Sequence, residues 1–279
     1  MSAIFLRAIE RVTRMLPGAF AVCAERLDAS PGEHATLAAN EQRVFPAASV
    51  IKIAVALEVL CAIEEGKLDA SSRLTVREGD KVMGSGVLAA LEAPLELAIT
   101  DVLYLAMAIS DNTAANLLIE RVGTDAVNTR LAGLGLVTTR LRGRIFVAGE
   151  DGEQSRTTAA ELVALLRAVH RAEGLPARAC ERLVALLLCT QTASTIGRGL
   201  PDERFPRLGG APPEIRLAYK TGSLEGLVAE AAIVTAPEAT YAIAVLSEGS
   251  GDVRPNHDNV GRVMLGEVSR AVYETFRAT

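Results

Sequence analysis

The spacing of apolar residues changes twice along this chain, and these changes restrict the folds that it can adopt. Residues 18–27, and a short run after the turn at 30–42, have the composition of β-strands. Three more strand-like runs lie between 215 and 248, whereas the region from about 48 to 200 contains segments of helical length and period. We therefore predict an α+β fold with an antiparallel sheet of about five strands and a separate helical domain.

Helices flank the predicted sheet at both ends of the chain. Residues 3–15 and 259–276 are amphipathic, with apolar residues at helical spacing. Six further helices are predicted inside the chain, at 48–65, 99–109, 113–122, 126–134, 158–172 and 177–188. These assignments predict a discontinuous sheet domain of residues 1–46 and 205–279 and an all-helical domain of residues 47–204. A cleft where the two domains meet is the expected place for an active site.

Composition and charge exclude several classes of function. The formal net charge of −5 is spread without a run of Lys or Arg, which argues against a nucleic-acid surface. The first helix threads Arg7, Arg11 and Arg14 through its apolar residues, unlike a signal peptide. The longest apolar run, at 53–63, is too short to span a membrane. The four cysteines lie in apolar segments without a CxxC spacing and indicate reduced core residues, so we expect a cytoplasmic protein.

A lysine inside an apolar run is the first sign of chemistry. Lys52 lies in the stretch FPAASVIKIAVALEVL, three residues after Ser49. Only four of the 29 Lys and Arg residues are lysine, so this chain uses Arg wherever a positive charge is merely needed. Arg keeps its proton in proteins, whereas a buried Lys can lose it. Lys52 is therefore a candidate for proton transfer; the alternative is a lysine whose stem crosses apolar surface while its amine reaches water.

Ser49 and Lys52 form the first of three short motifs. They lie about one turn apart on one face of the predicted helix, near its N-terminus, where the helix dipole favours developing negative charge. A desolvated ammonium loses its proton more readily, so Lys52 is expected to take the hydroxyl proton of Ser49. This pair predicts an activated serine nucleophile.

The other two motifs are weaker when taken singly. S-D-N at 110–112 lies at the junction of two predicted helices, where Asp111 or Asn112 alone is typical of a helix N-cap. K-T-G-S at 220–223 ends a predicted strand, which alone is typical of a turn. Their occurrence in this order, after the Ser-Lys pair and in these three structural contexts, favours one catalytic site.

The set S-x-x-K, S-D-N and K-T-G resembles that of class A β-lactamases and penicillin-binding proteins. The S-D-N form points to the class A branch, and the similarity runs from the first helix to the last. The stretches SDNTAANLLIERVG and KTGS are especially similar to class A sequences. The resemblance implies a β-lactamase-like fold and a serine acyl-hydrolase that acts on a β-lactam or a related amide or ester. Members of that family normally act outside the cytoplasmic membrane.

The resemblance also implies a catalytic role for four residues. Ser49 would be the nucleophile that forms the acyl-enzyme, and Lys52 would be its proton partner. Ser110 would relay a proton to the leaving nitrogen, and Lys220 would hold that region positive. Acyl transfer needs such a nucleophile, a base and an acid for the leaving group.

Substrate binding is implied for the neighbouring motif positions. Asn112 would hydrogen-bond an amide of the substrate, and Thr221 and Ser223, with Gly222 between them, would bind the substrate carboxylate. The backbone N–H groups of Ser49 and Ser223 would form the oxyanion hole.

One family motif is missing from the sequence. Class A enzymes carry Glu-x-x-Leu-Asn on a loop after S-D-N, and that Glu activates the water that releases the acyl group. Here the loop at 140–162 contains no such motif. The family spacing gives two estimates of where this Glu would lie. Counting forward from S-D-N leads to Phe146, and counting back from Thr157 leads to Arg142; neither residue is acidic.

The nearby carboxylates are Glu150, Asp151 and Glu153. Glu150 and Glu153 are candidate loop carboxylates, but a GEDGE run is more typical of a solvated loop tip. We therefore hypothesise that Lys52 is the base for both acylation and deacylation.

Three functions stay open at this point. The first is an active β-lactamase-like hydrolase, and the second is a penicillin-binding-protein-like peptidase, transacylase or esterase with slow deacylation. The third is a binding protein on the same scaffold without turnover. His34, His170 and His257 have no metal-ligand partner at helical spacing, so we expect no metal and no cofactor. The expected partner is a small-molecule substrate, with no nucleic acid and no membrane, and the family's usual form is a monomer.

Overall fold

The structure is a computed structural model that describes residues 2–29, 36–145, 154–201 and 214–278. The α-helices within these ranges are α1 (Ala3–Met15), α2 (Lys52–Glu64), α3 (Ile99–Ala108), α4 (Asn112–Val122), α5 (Thr124–Gly133), α6 (Ala159–Arg171), α7 (Ala177–Leu188) and α8 (Val260–Phe276). The strands are β1 (Ala19–Arg26), β2 (Thr36–Ala39), β3 (Phe45–Pro46), β4 (Arg73–Val76), β5 (Leu95–Ala98), β6 (Arg156–Thr157), β7 (Arg216–Leu224), β8 (Leu227–Thr235) and β9 (Thr240–Glu248). Each helix predicted from the sequence is present, and in the described ranges none is both long and apolar enough to cross a bilayer.

The chain divides into two compact units. The first unit comprises Met1–Phe45, Thr158–Arg167 and Ala193–Thr279, and the second comprises Pro46–Thr157 and Ala168–Thr192. These boundaries differ from the predicted domains, because the start of α6 and the segment after Thr192 belong to the first unit.

Hydrogen bonds within the first unit explain why the start of α6 belongs there. The N–H of Ala160 donates to the carbonyl oxygen of Glu41 at 3.0 Å. Further along the helix, Arg167 pairs with Glu25 of β1 at 2.9 Å. A helix-length run in the sequence predicts the helix but not the unit that it packs in.

The first unit contains the predicted antiparallel sheet of five strands, in the order β2-β1-β9-β8-β7. The helices α1 and α8 pack against each other and share one apolar core with the sheet. Phe5 of α1, Tyr241 of β9 and Phe276 of α8 are among its large buried side chains. The prediction of a five-stranded sheet flanked by terminal helices is confirmed.

The strand β7 is longer than the sequence suggested. Its pairing with β8 runs from Arg216 to Leu224, so K-T-G-S lies within the strand. The prediction that the strand ends at Lys220, the first residue of the motif, is wrong. The chain reverses at Glu225 and Gly226 instead, where Gly226 has φ +67°. A two-residue hairpin loop of this kind needs positive φ, which glycine adopts without steric cost.

The second unit is organised around α2. This helix is apolar on all sides and packs against α3, α4, α5 and α7, and its residues Lys52–Ala62 are buried. A helix that is hydrophobic all round is typical of a core position. The unit is not all-helical as predicted, because β4 and β5 form an antiparallel hairpin with Leu74 opposite Leu97. Cys189, predicted to be a core residue, is exposed because it follows the last turn of α7.

Candidate active site

Ser49 and Lys52 lie at the entry to α2. Ser49 is half-buried in a short 3-10 turn, Ala48–Ile51, and not in the first α-helical turn as predicted. Lys52 begins the α-helix, and its N–H donates to the carbonyl oxygens of Ser49 and Val50. Ala48 has φ +43°, a left-handed conformation that costs about 1–3 kcal/mol in a non-glycine residue. Such strain is found at active sites, where it fixes the direction of a reactive side chain.

The Lys52 amine is buried and fully engaged. The residue is 1 % exposed, and Nζ donates to the carbonyl oxygen of Ser110 at 2.6 Å, to Ser110 Oγ at 3.2 Å and to Asn112 Oδ1 at 2.7 Å. The alternative in which this amine reaches water is therefore wrong. Lys52 and the S-D-N motif form one cluster inside the second unit.

The chemistry of these contacts connects Lys52 to Ser110 through a shared proton. A carbonyl oxygen and a side-chain amide oxygen can only accept hydrogen bonds, whereas a hydroxyl can accept or donate. An ammonium therefore satisfies all three contacts as a donor. A neutral amine has two N–H groups, which can still donate to the carbonyl oxygen of Ser110 and to Asn112 Oδ1. The Ser110 hydroxyl can then rotate and donate its hydrogen to the lone pair of Nζ, which the other two partners cannot do. This geometry suits proton exchange between the two side chains.

Asp111 is the N-cap of α4 and also holds a neighbouring loop. Its Oδ1 accepts the N–H of Ala114 at 2.9 Å, which confirms the N-cap interpretation. Its Oδ2 accepts the N–H groups of Val87 and Leu88 at 2.7 and 2.9 Å. A Cβ on Gly86 would overlap the Asp111 carboxyl group. The buried carboxylate therefore fixes the loop at 82–88 against S-D-N.

The same loop is bonded to Asn112. The backbone N–H of Asn112 donates to the carbonyl oxygen of Ser85 at 3.0 Å, and its Nδ2 donates to that of Met83 at 3.1 Å. Nδ2 carries two hydrogens, and the contact with Met83 uses one of them. Ser110 is held at φ +60°, so it is left-handed like Ala48. These constraints orient all three motif residues.

The K-T-G-S motif lies on β7, at the edge of the sheet in the first unit. An edge strand presents N–H and C=O groups that no further strand takes up. Lys220 is 0 % exposed and its Nζ donates to the carbonyl oxygen of Thr221 at 2.9 Å, whereas Ser223 is exposed. Burial lowers the pKa of Lys220 to about 7, an effect that the negative charge of Glu230 opposes.

The predicted loop carboxylates cannot be placed. Glu150, Asp151 and Glu153, like Phe146, lie outside the described residues. Arg142 is described; it is exposed, and its N–H donates to Ser155 Oγ at 3.1 Å. The roles given to Ser49, Lys52, Ser110 and Lys220 stay predictions, although the structure brings Lys52 together with Ser110 and Asn112.

Glu230 is a buried acid that the sequence reasoning missed. It lies on β8 directly opposite Thr221 and is 0 % exposed. Its carboxylate accepts the Ser194 hydroxyl and the N–H groups of Thr195 and Ile196, the latter two at 2.6 and 3.3 Å. Burial raises the pKa of Glu230 to about 7. A lone Glu within the apolar run LVAEAAIVT was the signal that could have identified it.

The structure contains a buried lysine that is hydrogen-bonded to the S-D-N motif, and a K-T-G motif on an edge strand. Together with S-x-x-K, these motifs define a class of serine acyl-transfer proteins. The chain belongs to the beta-lactamase enzyme family, whose family model matches residues 5–276. Its fold is the β-lactamase fold.

Named relatives agree with this assignment. The β-lactamases PSE-4 and CARB-3 of Pseudomonas aeruginosa are each 33 % identical over 118 residues, which cover 41 % of this chain and 39 % of theirs. The chain thus aligns with about two fifths of the length of these curated relatives. The crystal structure of a β-lactamase from Sphaerobacter thermophilus is 30 % identical, with a TM-score of 0.85 over 98 % of this chain and 97 % of that one. PBP-A is 26 % identical, with a TM-score of 0.84 over 100 % and 97 % of the two chains.

Proposed function

We propose that this protein is a serine acyl-hydrolase of the class A β-lactamase type, which forms an acyl-enzyme at Ser49 and hydrolyses a β-lactam or a related amide or ester. The observation that carries the proposal is the buried Lys52 amine, one turn from Ser49 and bonded to Ser110 and Asn112. Family membership and the β-lactamase fold support the same function.

In the proposed reaction, Ser49 Oγ attacks the carbonyl carbon while Lys52 takes the hydroxyl proton. The C–N bond then breaks, and the leaving nitrogen receives a proton from the Ser110 hydroxyl. Lys52 returns a proton to Ser110, which their 3.2 Å contact allows. Water next attacks the acyl carbon while Lys52 takes one of its protons. The ester bond to Ser49 then breaks, Lys52 returns that proton to Ser49 Oγ, and the acid product leaves. Lys52 serves as the base in both halves of the reaction.

Binding roles are proposed for the remaining motif residues. Asn112 donates its second Nδ2 hydrogen to a substrate carbonyl, since the first is used by the carbonyl oxygen of Met83. Thr221 and the exposed Ser223, on the segment that includes Gly222, bind the substrate carboxylate next to the positive charge of Lys220. A β-lactam carries both of these groups.

A slow-releasing acyl-enzyme is the second candidate. The sequence has no Glu-x-x-Leu-Asn motif to activate water, and the chain is similar to PBP-A along its whole length. A point mutant of PBP-A has been solved as an acyl-enzyme complex with penicillin G. A penicillin-binding-protein-like peptidase, transacylase or esterase would be acylated at Ser49 in the same way but would release the acyl group slowly.

Intact-mass measurement and turnover of one penicillin and one chromogenic cephalosporin, on the same samples, separate these functions. The hydrolase predicts rapid turnover with a transient adduct, and the slow-releasing protein predicts a lasting adduct. Ser49→Ala should lose the adduct in both cases, whereas Ser71→Ala, on an exposed turn, should keep it. An adduct that persists in Ser49→Ala would exclude Ser49 as the nucleophile, and neither adduct nor turnover in the natural sequence would leave only a binding function.

Location and oligomeric state stay predictions. Cell fractionation with a cytoplasmic marker tests the expected cytoplasmic location. Size-exclusion chromatography with light scattering tests the expected monomer.

A further inference from the structure

A groove between α1 and α8, inside the first unit, lies outside the described mechanism. It has a volume of about 500 Å³ and is lined by both helices and by Arg198. Thr275 Oγ1 lies 3.0 Å from Ser2 Oγ, and Arg11 pairs with Glu267 at 3.2 Å. These two contacts join the helices at different heights, so the groove has a fixed width along its length.

Part of the groove surface is apolar. Ala8 of α1 and Val263 and Ala271 of α8 line it. Ile4 also lines it, and 38 % of this large apolar residue is exposed. Covering apolar surface is favourable by about 25 cal/mol per Å². The groove can therefore bind the hydrocarbon part of a small molecule.

Four arginines from three segments of the chain line the same groove. They are Arg7 and Arg11 of α1, Arg270 of α8, and Arg198, which follows Gly197 in a 3-10 turn. Arg11 is paired with a carboxylate, as described above. Arg7 and Arg270 are exposed, and within the part of the chain that the structure describes neither forms an ion pair. Two guanidinium groups are thus available to a ligand.

Arg198 is held in place over α8. Its Nη1 donates to the carbonyl oxygen of His257 at 3.2 Å, and its stem lies against Gly266, where a Cβ would be 3.1 Å from Arg198 Cδ. The next residue, Gly199, packs so closely on α8 that a Cβ there would overlap the carbonyl oxygen of Gly266. The close packing of the two glycines fixes this third guanidinium beside the groove.

The groove is positive, although the protein as a whole is acidic. Its two acidic residues, Glu267 and Glu274, leave a net charge of +2 from the four arginines, whereas the formal net charge of the chain is −5. A guanidinium presents a planar set of donors that matches a carboxylate or a phosphate group. The groove is therefore complementary to an anion that carries a hydrocarbon group.

We propose that the groove between α1 and α8 binds a small amphiphilic anion, a carboxylate or phosphate head on a short hydrocarbon chain. Arg7 and Arg270 bind the head group, and the apolar surface that includes Ile4 takes up the chain. Glu274 lines the same groove and opposes binding by charge repulsion. The site is independent of Ser49 and of the proposed acyl transfer.

The side chain of Ile4 supplies a direct probe of the groove. In protein labelled with ¹³C at the isoleucine δ1 methyl groups, Ile4→Val identifies the resonance of Ile4. Octanoate should shift this resonance saturably, with a dissociation constant of about 1 mM or lower. Octanol has the same chain without the charge and should bind much more weakly. Octyl phosphate tests the other head group, and saturable binding of either anion supports the site.

Charge variants test the role of the arginines. Arg7→Gln and Arg270→Gln should each weaken binding by about tenfold or more, because each removes a charge-assisted contact to the head group. Glu274→Gln should tighten binding, because it removes the repelling charge. Arg121→Gln, at an exposed arginine of α4, is the matched control and should bind like the natural sequence. The side chains of Arg7 and Arg270 are exposed, so these variants should fold, which thermal melting checks.

Three results would overturn the proposal. The first is the lack of a saturable shift with either anion up to about 10 mM. The second is octanol binding as tightly as octanoate, and the third is equal binding by Arg7→Gln, Arg270→Gln and Arg121→Gln. Penicillin adduct formation should be the same in all of these variants, so failure of the groove proposal is distinct from failure of the proposed function.

Discussion

The substitution Asp111→Asn tests how strongly one buried carboxylate holds the S-D-N cluster. The change keeps the shape but replaces one oxygen with an NH₂ group, although all three partners of the carboxylate are N–H donors. Whichever way the amide lies, at least one N–H faces another donor. Hydrogen bonds to a charged group contribute about 1.5–3 kcal/mol each, against about 0.5–1.5 for neutral ones. At least one of the three hydrogen bonds is lost and the others become weaker, so the protein should be destabilised by about 4 kcal/mol.

Urea unfolding and thermal melting measure this loss. The midpoint temperature should fall by about 8 °C, at about 2 °C per kcal/mol for a chain of this size. Asp101→Asn is the matched control, because Asp101 is exposed in the first turn of α3 and its dipole interaction contributes about 0.3–1 kcal/mol. Acylation should also slow, since the loop at 82–88 is held against Asn112 by the same carboxylate. Equal unfolding curves for Asp111→Asn and Asp101→Asn would refute the reasoning.

Three further substitutions test other parts of the second unit. Lys52→Met should slow penicillin adduct formation by about 10²–10⁴-fold, the usual contribution of a general base. Lys67→Met, on the surface, is the control and should not change the rate. If intact-mass measurement gives equal rates for the two variants, Lys52 is excluded as the base. Gly86→Ala should lower the melting temperature, because the new methyl group overlaps the Asp111 carboxyl group and Gly86 has φ +115°. An unchanged melting temperature would contradict the close packing of the loop at 82–88 against Asp111. Arg130→Met should lower the free energy of unfolding in urea by about 3–5 kcal/mol. In the natural sequence Arg130 lies 2.6 Å from the buried Glu58 carboxylate, and the substitution leaves that carboxylate without its cation. A loss under about 1 kcal/mol would contradict this.

Elements with a long, regular apolar period were predictable from the sequence. The bounds of α1 and α7 agree with the sequence prediction, and α3, α4, α5, α6 and α8 begin and end within two residues of it. The helix α2 begins four residues later than predicted, because Ala48–Ile51 form a 3-10 turn. In each of these elements the buried face repeats over several helical turns or strand alternations, so one atypical residue does not obscure the pattern. The motif residues were predictable for a different reason, namely their chemistry.

Two local features were not predictable in the same way. The hairpin of β4 and β5 consists of four-residue strands with 18 residues between their ends, so neither strand shows a period long enough to read. The extension of β7 through K-T-G-S depends on its pairing with β8. Glycine and serine in the motif favour a turn by composition, but the turn forms after the motif, at Glu225 and Gly226.

Glu230 and Lys52 show what a lone charge in an apolar run can and cannot reveal. Lysine is rare in this chain and acids are common, so the rarity argument that identified Lys52 passes over Glu230. The strand period, however, places Glu230 on the same face as Val228 and Ala232, which predicts its burial. A buried acid needs donors, and here they come from a turn about 35 residues earlier in the chain. Local pattern therefore predicts that a charge is buried, whereas the partners that decide its protonation are supplied by the fold.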